Sequence, residues 1–335
     1  MKVRRSQTIV PASVPEYIEK SVRLEADVVV MDLQDAVVKQ DKAKREGRDV
    51  VVAALRKGKS AYKCRELCVR VNSPGSPWFI DDLKAVIEAG VDSIRLTHAY
   101  GLADVMFAER CIMAFANGRE VDIHLSLDMP SCLFELEDIA KRSELITSVW
   151  LSSGDFGLET GSSSHGPNPY PNDEWLTYTR GKIVNVARSF GWNAGDIIRP
   201  LPTDPDKLRT ALQRSRMFGF DGCAIVIPRL IHIVNEEFGV KADELTWAKD
   251  LAAKWDLLAA GPESNRDFHT IDGRNVMRPG YEYALRVIHY DAVLRGDPEA
   301  VESYRKYGLA TGDYLAERRA APILSDPALV AGVKP

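Results

Sequence analysis

The sequence has few cysteines, and their pattern is not structural. Five occur among 335 residues, at positions 64, 68, 111, 132 and 223. An odd number at wide spacing excludes the disulfide framework of a small secreted protein. Cys64 and Cys68 lie four residues apart, but no second cysteine or histidine pair in the sequence completes a zinc site. We therefore expect free thiols and a cytoplasmic protein.

Long apolar runs and a strong charge bias are also absent. No run approaches the ~18 residues of a membrane span. Arg4 and Arg5 are not followed by the apolar region of a signal peptide, because Pro11 and Glu16 come too soon. The formal net charge is −4, and Lys and Arg are scattered among Asp and Glu. We therefore expect no nucleic-acid partner and no membrane partner.

A nucleotide-binding motif is the third absence. No G-x-G-x-x-G follows the first predicted strand, which counts against a dinucleotide-binding fold. The sequence instead alternates short buried strands with amphipathic helices. The predicted strands cover residues 7–11, 27–32, 67–72, 93–97, 122–127, 148–152, 196–199 and 223–228. Eight such repeats favour the α/β class and a (β/α)8 TIM barrel over a doubly wound sheet.

The chain continues well beyond the eighth strand. We assign residues 1–240 to the barrel with the active site, and residues 241–335 to a C-terminal helical extension. The extra helices are expected to form an appended subdomain or a lid that packs on a neighbouring subunit. Residues 157–172, rich in Gly, Ser and Pro, are expected to form a mobile active-site loop or a disordered segment.

Two helix starts have clear local signals. Ser13 and Glu16 have the spacing of a capping box, which predicts a helix from this point. Asp204 before Pro205 predicts another, because Asp is a favoured N-cap and Pro suits the first helical position.

Polar residues end most of the predicted strands. In a barrel the carboxyl ends of all strands form one rim, so these residues are expected to lie close together. They are Asp32, Gln34, Asp35, Arg70, Asn72, Thr97, His98, Asp128, Gly154, Asp155 and Arg199. Paired carboxylates suit a hard divalent cation, and an arginine suits a substrate carboxylate or an oxyanion. Each of these residues, taken alone, is better explained by the polarity that loops normally have. The prediction therefore rests on the whole set.

Three histidines outside this set have simpler explanations. His124 is predicted to be a satisfied core or interface histidine on the fifth strand, and His232, in an apolar run, to be structural. His165 lies in the long loop after the sixth strand and would reach the site only if that loop closed.

Several separated pieces of sequence resemble one family. They are Thr8-Ile9-Val10-Pro11-Ala12, Met31-Asp32-Leu33-Gln34-Asp35-Ala36-Val37, Val69-Arg70-Val71-Asn72, Leu127-Asp128, Gly154-Asp155-Phe156, Phe220-Asp221-Gly222, Val234-Asn235-Glu236-Glu237-Phe238 and Ile271-Asp272-Gly273. In this order and spacing the chain resembles the citrate lyase β-subunit-like proteins of the HpcH/HpaI aldolase and malyl-coenzyme A lyase superfamily. The resemblance runs from about residue 7 to about residue 295.

The resemblance implies a barrel assembled as a homotrimer or hexamer, and Mg²⁺ as the cofactor, with Mn²⁺ possible. It implies reversible Claisen- or aldol-type cleavage of a small β-hydroxy acid or its coenzyme A thioester, with release of a small keto acid or an acyl fragment. The metal and an arginine would stabilise the enolate. The implied residues are Arg70 and Asp35 as catalytic groups, Arg70, Gln34, Gly154 and Asp155 at the substrate, and Asp128 and Asp155 at the metal.

Four departures from the family pattern bear on the substrate. Gln34 replaces a glutamate, and Asp128 replaces a glutamate ligand that is one methylene longer. The eighth-strand region, residues 227–230, lacks the family's histidine. Met277 stands by spacing where thioester-processing members have an acid–base aspartate, and a thioether cannot transfer a proton. These departures count against thioester chemistry.

Three functions therefore remain open from the sequence. The leading hypothesis is a metal-dependent lyase of the citrate lyase β-like type. A catalytically silent homologue that binds a metabolite or serves as a scaffold is favoured by Met277 and Gln34. A metal-dependent pyruvate aldolase acting on free aldehydes would need a base, for which His98 or a metal-bound water are the available groups.

Overall fold

The computed structural model describes residues 2–162, 174–198, 201–261 and 266–297. It contains eight parallel strands, β1 Ser6–Pro11, β2 Val28–Asp32, β3 Glu66–Arg70, β4 Ser93–Leu96, β5 Asp122–Leu127, β6 Ile146–Ser152, β7 Asn193–Ile197 and β8 Gly222–Ile225. Each strand pairs with its neighbours in chain order, and β1 also pairs with β8, which closes the barrel. The predicted (β/α)8 barrel is thus confirmed.

The barrel strands are joined and flanked by helices that each bury one face. They are α1 Pro15–Lys20, α2 Asp41–Leu55, α3 Phe79–Glu88, α4 Leu102–Ala116, α5 Pro130–Arg142, α6 Ser153–Glu159, α7 Thr177–Phe190, α8 Pro205–Phe218 and α9 Ile231–Glu237. In the part of the chain that the structure describes, no helix has both the length and the apolar character needed to cross a membrane.

One of the two predicted helix starts is correct. Asp204 caps α8, because its carboxylate accepts hydrogen bonds from two backbone N–H groups of the first turn, at 3.1 and 3.0 Å. The capping box at Ser13 is wrong, since the N-cap of α1 is Val14 and no side chain caps the helix. Pro15 occupies the first helical position and starts the helix one residue later than a Ser13 cap requires.

The amino-terminal end of the barrel is filled by buried polar groups. Arg4 donates to Glu66 at 2.8 Å and to Asp122 at 2.7 Å. His124 is fully buried, as predicted, with its Nε2 2.8 Å from a Glu66 oxygen and its Nδ1 2.9 Å from the Gln7 amide. Burial lowers the pKa of His124 to about 4, so the ring is neutral at neutral pH.

The middle of the barrel is filled by the indole of Trp150. It packs with Ile197 and Ala224, and its Nε1 donates to Ser148 at 2.9 Å. The neighbouring strand makes room for it with Gly195, where a Cβ atom would lie 2.0 Å from the indole Cε3. Because of this glycine, the first part of the strand lacks the continuous apolar residues that predict a buried strand. The prediction therefore placed the start of β7 at residue 196, whereas the strand begins at residue 193.

The chain divides into two compact units. One comprises Met1–Arg188 and Trp192–Phe238, and the second comprises Ser189–Gly191 and the chain from Gly239 on. The described residues of the second unit form two helices, α10 Ala242–Ala259 and α11 Arg278–Leu294, which pack through Ala248, Leu251, Ala284 and Val287. The predicted division at residues 240 and 241 stays a prediction.

A hairpin in the second unit was not predicted. Between α10 and α11 lie β9 Phe268–Ile271 and β10 Arg274–Met277, paired antiparallel. The turn residues Asp272 and Gly273 have φ values of 50° and 74°. Positive φ at both positions is what a two-residue hairpin turn of type I′ requires, and Asp-Gly is a favoured sequence for it.

Candidate active site at the carboxyl rim of the barrel

Asp32 is the last residue of β2 and organises the loop that follows. Its buried carboxylate accepts hydrogen bonds from the backbone N–H of Gln34 at 2.9 Å and from that of Ala36 at 3.2 Å. Short carboxylate side chains commonly stabilise turns in this way. The loop places Asp35 at the rim, where it lines a large cavity.

Arg70, the last residue of β3, is held by the same carboxylate. It lies opposite Asp32 in the strand register, and its Nε and Nη2 donate to the two Asp32 oxygens at 2.7 and 2.5 Å. Its Nη1 lies 3.3 Å from an oxygen of Asp35. Burial opposes the charge on Arg70, but Asp32 outweighs burial and the pKa of Arg70 is raised. Arg70 therefore presents a fixed, permanent positive charge to the cavity.

Lys44 of α2 fixes the loop from its other side. Its buried ammonium donates to the carbonyl oxygens of Leu33 and Gln34, both at 2.7 Å, and lies 5.3 Å from the ring centre of Trp78. Burial lowers the pKa of Lys44, and Asp82 opposes that shift. Two carbonyls held by one ammonium leave the loop little freedom to move.

His98 follows β4 and has an unusual backbone conformation. Its φ is 48°, in the left-handed region that few residues other than glycine adopt. Its backbone N–H donates to Asp128 at 2.7 Å, and the other oxygen of Asp128 accepts from Ser126 at 2.9 Å. Asp128 is only 2% exposed. Its carboxylate therefore holds the His98 loop in place from within the protein.

Asp155 lies in the short helix α6, next to the buried Gly154, and both line the cavity. One oxygen of Asp155 accepts from Ser152 at 2.7 Å. Asp35, His98 and Asp155 each offer a ligand atom, and these three atoms lie within 4.8 Å of one another. Three separate rim segments thus converge on one point.

Asp35 and Gln34 complete this corner. The Gln34 amide nitrogen donates to Asp35 at 2.5 Å, whereas its amide oxygen is buried without a hydrogen-bond partner among the described residues. Burial raises the pKa of Asp35, Arg70 opposes the rise, and Asp32 and Asp155 add to it. Negative charge is therefore crowded here despite the nearby guanidinium.

The cavity at this rim has a volume of about 1060 Å³. Its lining includes the strand residues Ile9 and Ile197, and also Asp35 and Asp155 together with Arg70. The residues Tyr17, Lys20 and Arg23, from α1 and the turn after it, line another part of the wall. Within the described ranges neither Lys20 nor Arg23 has an ion-pair partner.

Other predicted rim residues have structural roles or lie outside the described residues. Asn72 donates to the Leu33 carbonyl at 3.1 Å and to Asp82 at 2.6 Å, so its amide braces the β2 loop. Thr97 donates to a backbone carbonyl of the neighbouring strand segment. Arg199 and His165 lie outside the described residues. The roles given to Arg70, Asp35, Gln34, Gly154, Asp128 and Asp155 stay predictions.

The chain has clear relatives among known proteins. The sequence model of the HpcH/HpaI aldolase/citrate lyase family matches residues 5–228. Citrate lyase subunit beta from Leuconostoc mesenteroides subsp. cremoris is 28% identical over 292 residues, which cover 86% of this chain and 93% of that protein. Mitochondrial citramalyl-CoA lyase from Rattus norvegicus is 26% identical over 259 residues, 75% of each chain.

A solved structure has the same fold. Protein CitE from Mycobacterium tuberculosis, in complex with magnesium, acetoacetate and coenzyme A, matches with a TM-score of 0.67 at 21% identity, over 87% of this chain and 98% of that chain. At this identity the likeness concerns the fold.

Proposed function

The chain belongs to the HpcH/HpaI aldolase/citrate lyase family, a family of carbon–carbon lyases, and from this premise we propose that it cleaves or forms a small β-hydroxy acid or its coenzyme A thioester through an enolate, with a divalent cation. One observation carries the proposal. Arg70, whose guanidinium donates two hydrogen bonds to the Asp32 carboxylate, lines the same cavity as the clustered carboxylates of Asp35 and Asp155. A fixed cation can stabilise the negative charge of an enolate, and clustered carboxylates can hold a divalent cation beside it.

Arg70 supplies the positive charge. Cleavage of a carbon–carbon bond next to a carbonyl group leaves negative charge on the carbonyl oxygen, which a preorganised donor stabilises. The raised pKa of Arg70 keeps it charged, and the two bonds to Asp32 fix the plane of its guanidinium. We assign to Arg70 the substrate carboxylate or the enolate oxygen, and to Gln34 and Asp35 the organisation of the surrounding site.

The crowded carboxylates fit a divalent cation. Burial raises the pKa of Asp35, Arg70 opposes this, and the nearby Asp155 adds to the rise, so a further cation would relieve the repulsion. Asp155 lines the cavity and, together with Asp128, is the ligand pair that the sequence resemblance implies. Both Mg²⁺ and Mn²⁺ suit such oxygen donors. A bound cation would polarise the substrate carbonyl as a Lewis acid.

The size and charge of the cavity favour a substrate larger than a free keto acid. A volume of about 1060 Å³ accommodates a drug-sized ligand. Lys20 and Arg23 add two cations to the wall, which suits the phosphates of a coenzyme A thioester. Met277 is 63% exposed and carries no transferable proton, so we give that position no acid–base role.

Incubation of the full chain with acetyl-coenzyme A, a panel of 2-keto acids and Mg²⁺ or Mn²⁺ tests the proposal. We expect mass spectrometry to detect a new hydroxyacyl adduct only when the metal is present. The double variant Lys20→Gln/Arg23→Gln should raise the KM for the thioester, while Lys57→Gln, on an exposed residue outside the cavity, should not. Thioester binding without conversion would favour the silent homologue. Metal-dependent addition of pyruvate to a free aldehyde, in a parallel incubation without acetyl-coenzyme A, would favour the pyruvate aldolase.

A further inference from the structure

We propose that Arg95, buried inside the barrel beside Arg70, is a positioning residue whose positive charge favours the enolate in the cavity without touching it. This inference rests on the proposed function, because it assigns a further residue to the same reaction. Arg95 is not among the described residues that line the cavity, so its effect on a ligand there is electrostatic.

The strand register places Arg95 next to Arg70. The two residues are paired across β3 and β4, just as Arg70 is paired with Asp32 across β2 and β3. Arg95 is only 1% exposed, and its guanidinium carbon lies 5.4 Å from the ring centre of Trp150, which fills the middle of the barrel. Its backbone is therefore level with the rim residues, and its charge lies inside the barrel.

Arg95 has no carboxylate partner among the described residues. Its Nη1 donates to the amide oxygen of Gln7 at 2.8 Å, and its buried Nη2 has no hydrogen-bond partner in the described part of the chain. Burial and the charge of Arg70 lower the pKa of Arg95 to about 10, and the more distant Asp128 opposes this shift. The guanidinium is therefore charged at neutral pH but lacks an opposite charge in contact with it.

Hydrogen bonds from the amino-terminal end of the barrel orient the Gln7 amide towards Arg95. Glu66 is paired with Arg4, and the neutral ring of His124 donates to Glu66 through Nε2 at 2.8 Å. The Nδ1 atom of that ring is then an acceptor, and the Gln7 amide nitrogen donates to it at 2.9 Å. The negative charge of Glu66 therefore stays at the amino-terminal end, and only a neutral amide oxygen contacts Arg95.

A buried charge without an opposite charge lowers the stability of the folded protein. Replacing such a group with an apolar side chain of similar volume is often neutral or stabilising, so packing does not explain Arg95. Negative charge in the neighbouring cavity would supply the missing counterpart. An enolate carries more negative charge on its oxygen than the keto acid from which it forms, so a second cation beside Arg70 favours the enolate.

Calorimetric titration of the full chain with oxalate and with pyruvate, both in the presence of Mg²⁺, tests the inference. Oxalate is a dianion that resembles the enolate of pyruvate, whereas pyruvate carries a single negative charge. Arg95→Met should weaken oxalate binding at least about ten-fold more than pyruvate binding, because the dianion loses more when a nearby positive charge is removed. Arg95→Lys keeps the charge and should retain the wild-type preference for oxalate.

The melting temperature separates this role from a structural one. Arg95→Met should melt no lower than the wild-type chain, because the change removes a buried charge that has no carboxylate partner. Arg4→Met is the matched comparison, since Arg4 is also 1% exposed but donates to both Glu66 and Asp122. Its melting temperature should fall, because the buried Glu66 would lose its cation.

The outcomes separate this inference from the proposed function. If Arg95→Met weakened oxalate and pyruvate binding equally, had no effect on either, or failed to fold, the inference would be overturned and the metal-dependent lyase left intact. Loss of the oxalate preference in Arg95→Lys as well would show that the charge is not what matters. A wild-type chain that binds neither oxalate nor pyruvate with Mg²⁺ would overturn both the inference and the proposed function.

Discussion

Asp32 and Arg70 face each other across neighbouring strands and are joined by two hydrogen bonds, at 2.7 and 2.5 Å. The same carboxylate also accepts from the backbone of Gln34 and Ala36. One buried carboxylate therefore fixes both the cation of the site and the loop that carries Asp35. Substitutions at this carboxylate should affect stability and ligand binding together.

Asp32→Asn should destabilise the barrel markedly. The amide nitrogen introduced by the change would face the N–H donors of Arg70 or of the loop backbone. The Arg70 guanidinium would also lose its buried, negatively charged partner. Breaking such a pair costs about 3 kcal/mol or more in free energy of unfolding. Urea denaturation should show this loss. Asp81→Asn is the control, because Asp81 is 72% exposed and 3.5 Å from Arg48, and its loss should stay below about 1 kcal/mol. Equal effects of the two changes would contradict the account.

Lys44→Met should loosen the β2 loop. It removes an ammonium that donates to two carbonyls, and leaving buried acceptors unpaired costs about 1–3 kcal/mol. The comparison is Lys42→Met, two residues earlier on the exposed face of α2, where the side chain is 83% exposed. We expect a lower melting temperature and weaker ligand binding for Lys44→Met alone. If both variants had the same melting temperature, the contacts of Lys44 with the two carbonyl oxygens would not stabilise the loop.

Gly195→Ala should disrupt the middle of the barrel. The added Cβ would lie 2.0 Å from the buried indole of Trp150, which has no room to move away. Overpacking of this kind costs about 1–3 kcal/mol or more. Gly181→Ala, in α7 with nothing within 4 Å, should instead stabilise by about 0.5–1 kcal/mol. The melting temperature should fall for Gly195→Ala and rise for Gly181→Ala. An unchanged melting temperature for Gly195→Ala would contradict the close contact between residue 195 and Trp150.

Stability should fall on mild acidification, in part through His124. Burial lowers its pKa to about 4 in the folded protein, against about 6.5 in the unfolded chain. Between these values the unfolded chain binds more protons than the folded protein, so the free energy of unfolding increases with pH. The stability that His124 contributes is therefore lost as the pH falls from about 6.5 towards 4. His124→Gln, unlike His232→Gln, should flatten this dependence in denaturation at several pH values. An unchanged slope would mean that other groups cause it.

The barrel was predictable because most strands are short apolar runs that end at polar residues. The start of β7 was not, since its glycine is explained only by Trp150, 45 residues earlier in the chain. The hairpin at residues 268–277 was also missed, although Asp272-Gly273 is a hairpin signal in the sequence.

The site was predictable as a set of rim residues but not as a geometry. The sequence placed His98 at the rim, yet its left-handed backbone and its approach to Asp35 and Asp155 depend on contacts between distant segments. Lys44 carried a local signal that was overlooked. It shares the buried face of α2 with Gly47 and Val51, where a lysine needs a partner. The partner carbonyls belong to another element and are visible only in the folded chain.

Calorimetric titration with oxaloacetate tests the central claim most directly. The wild-type chain should bind this keto acid when Mn²⁺ or Mg²⁺ is present and not in the presence of a chelator. Arg70→Lys should weaken metal-dependent binding by about ten-fold or more, because lysine keeps the charge but cannot make the same pair of hydrogen bonds to the Asp32 carboxylate. Arg56→Lys, an exposed arginine at the end of α2, is the control. Binding that needs neither the metal nor Arg70 would contradict the account.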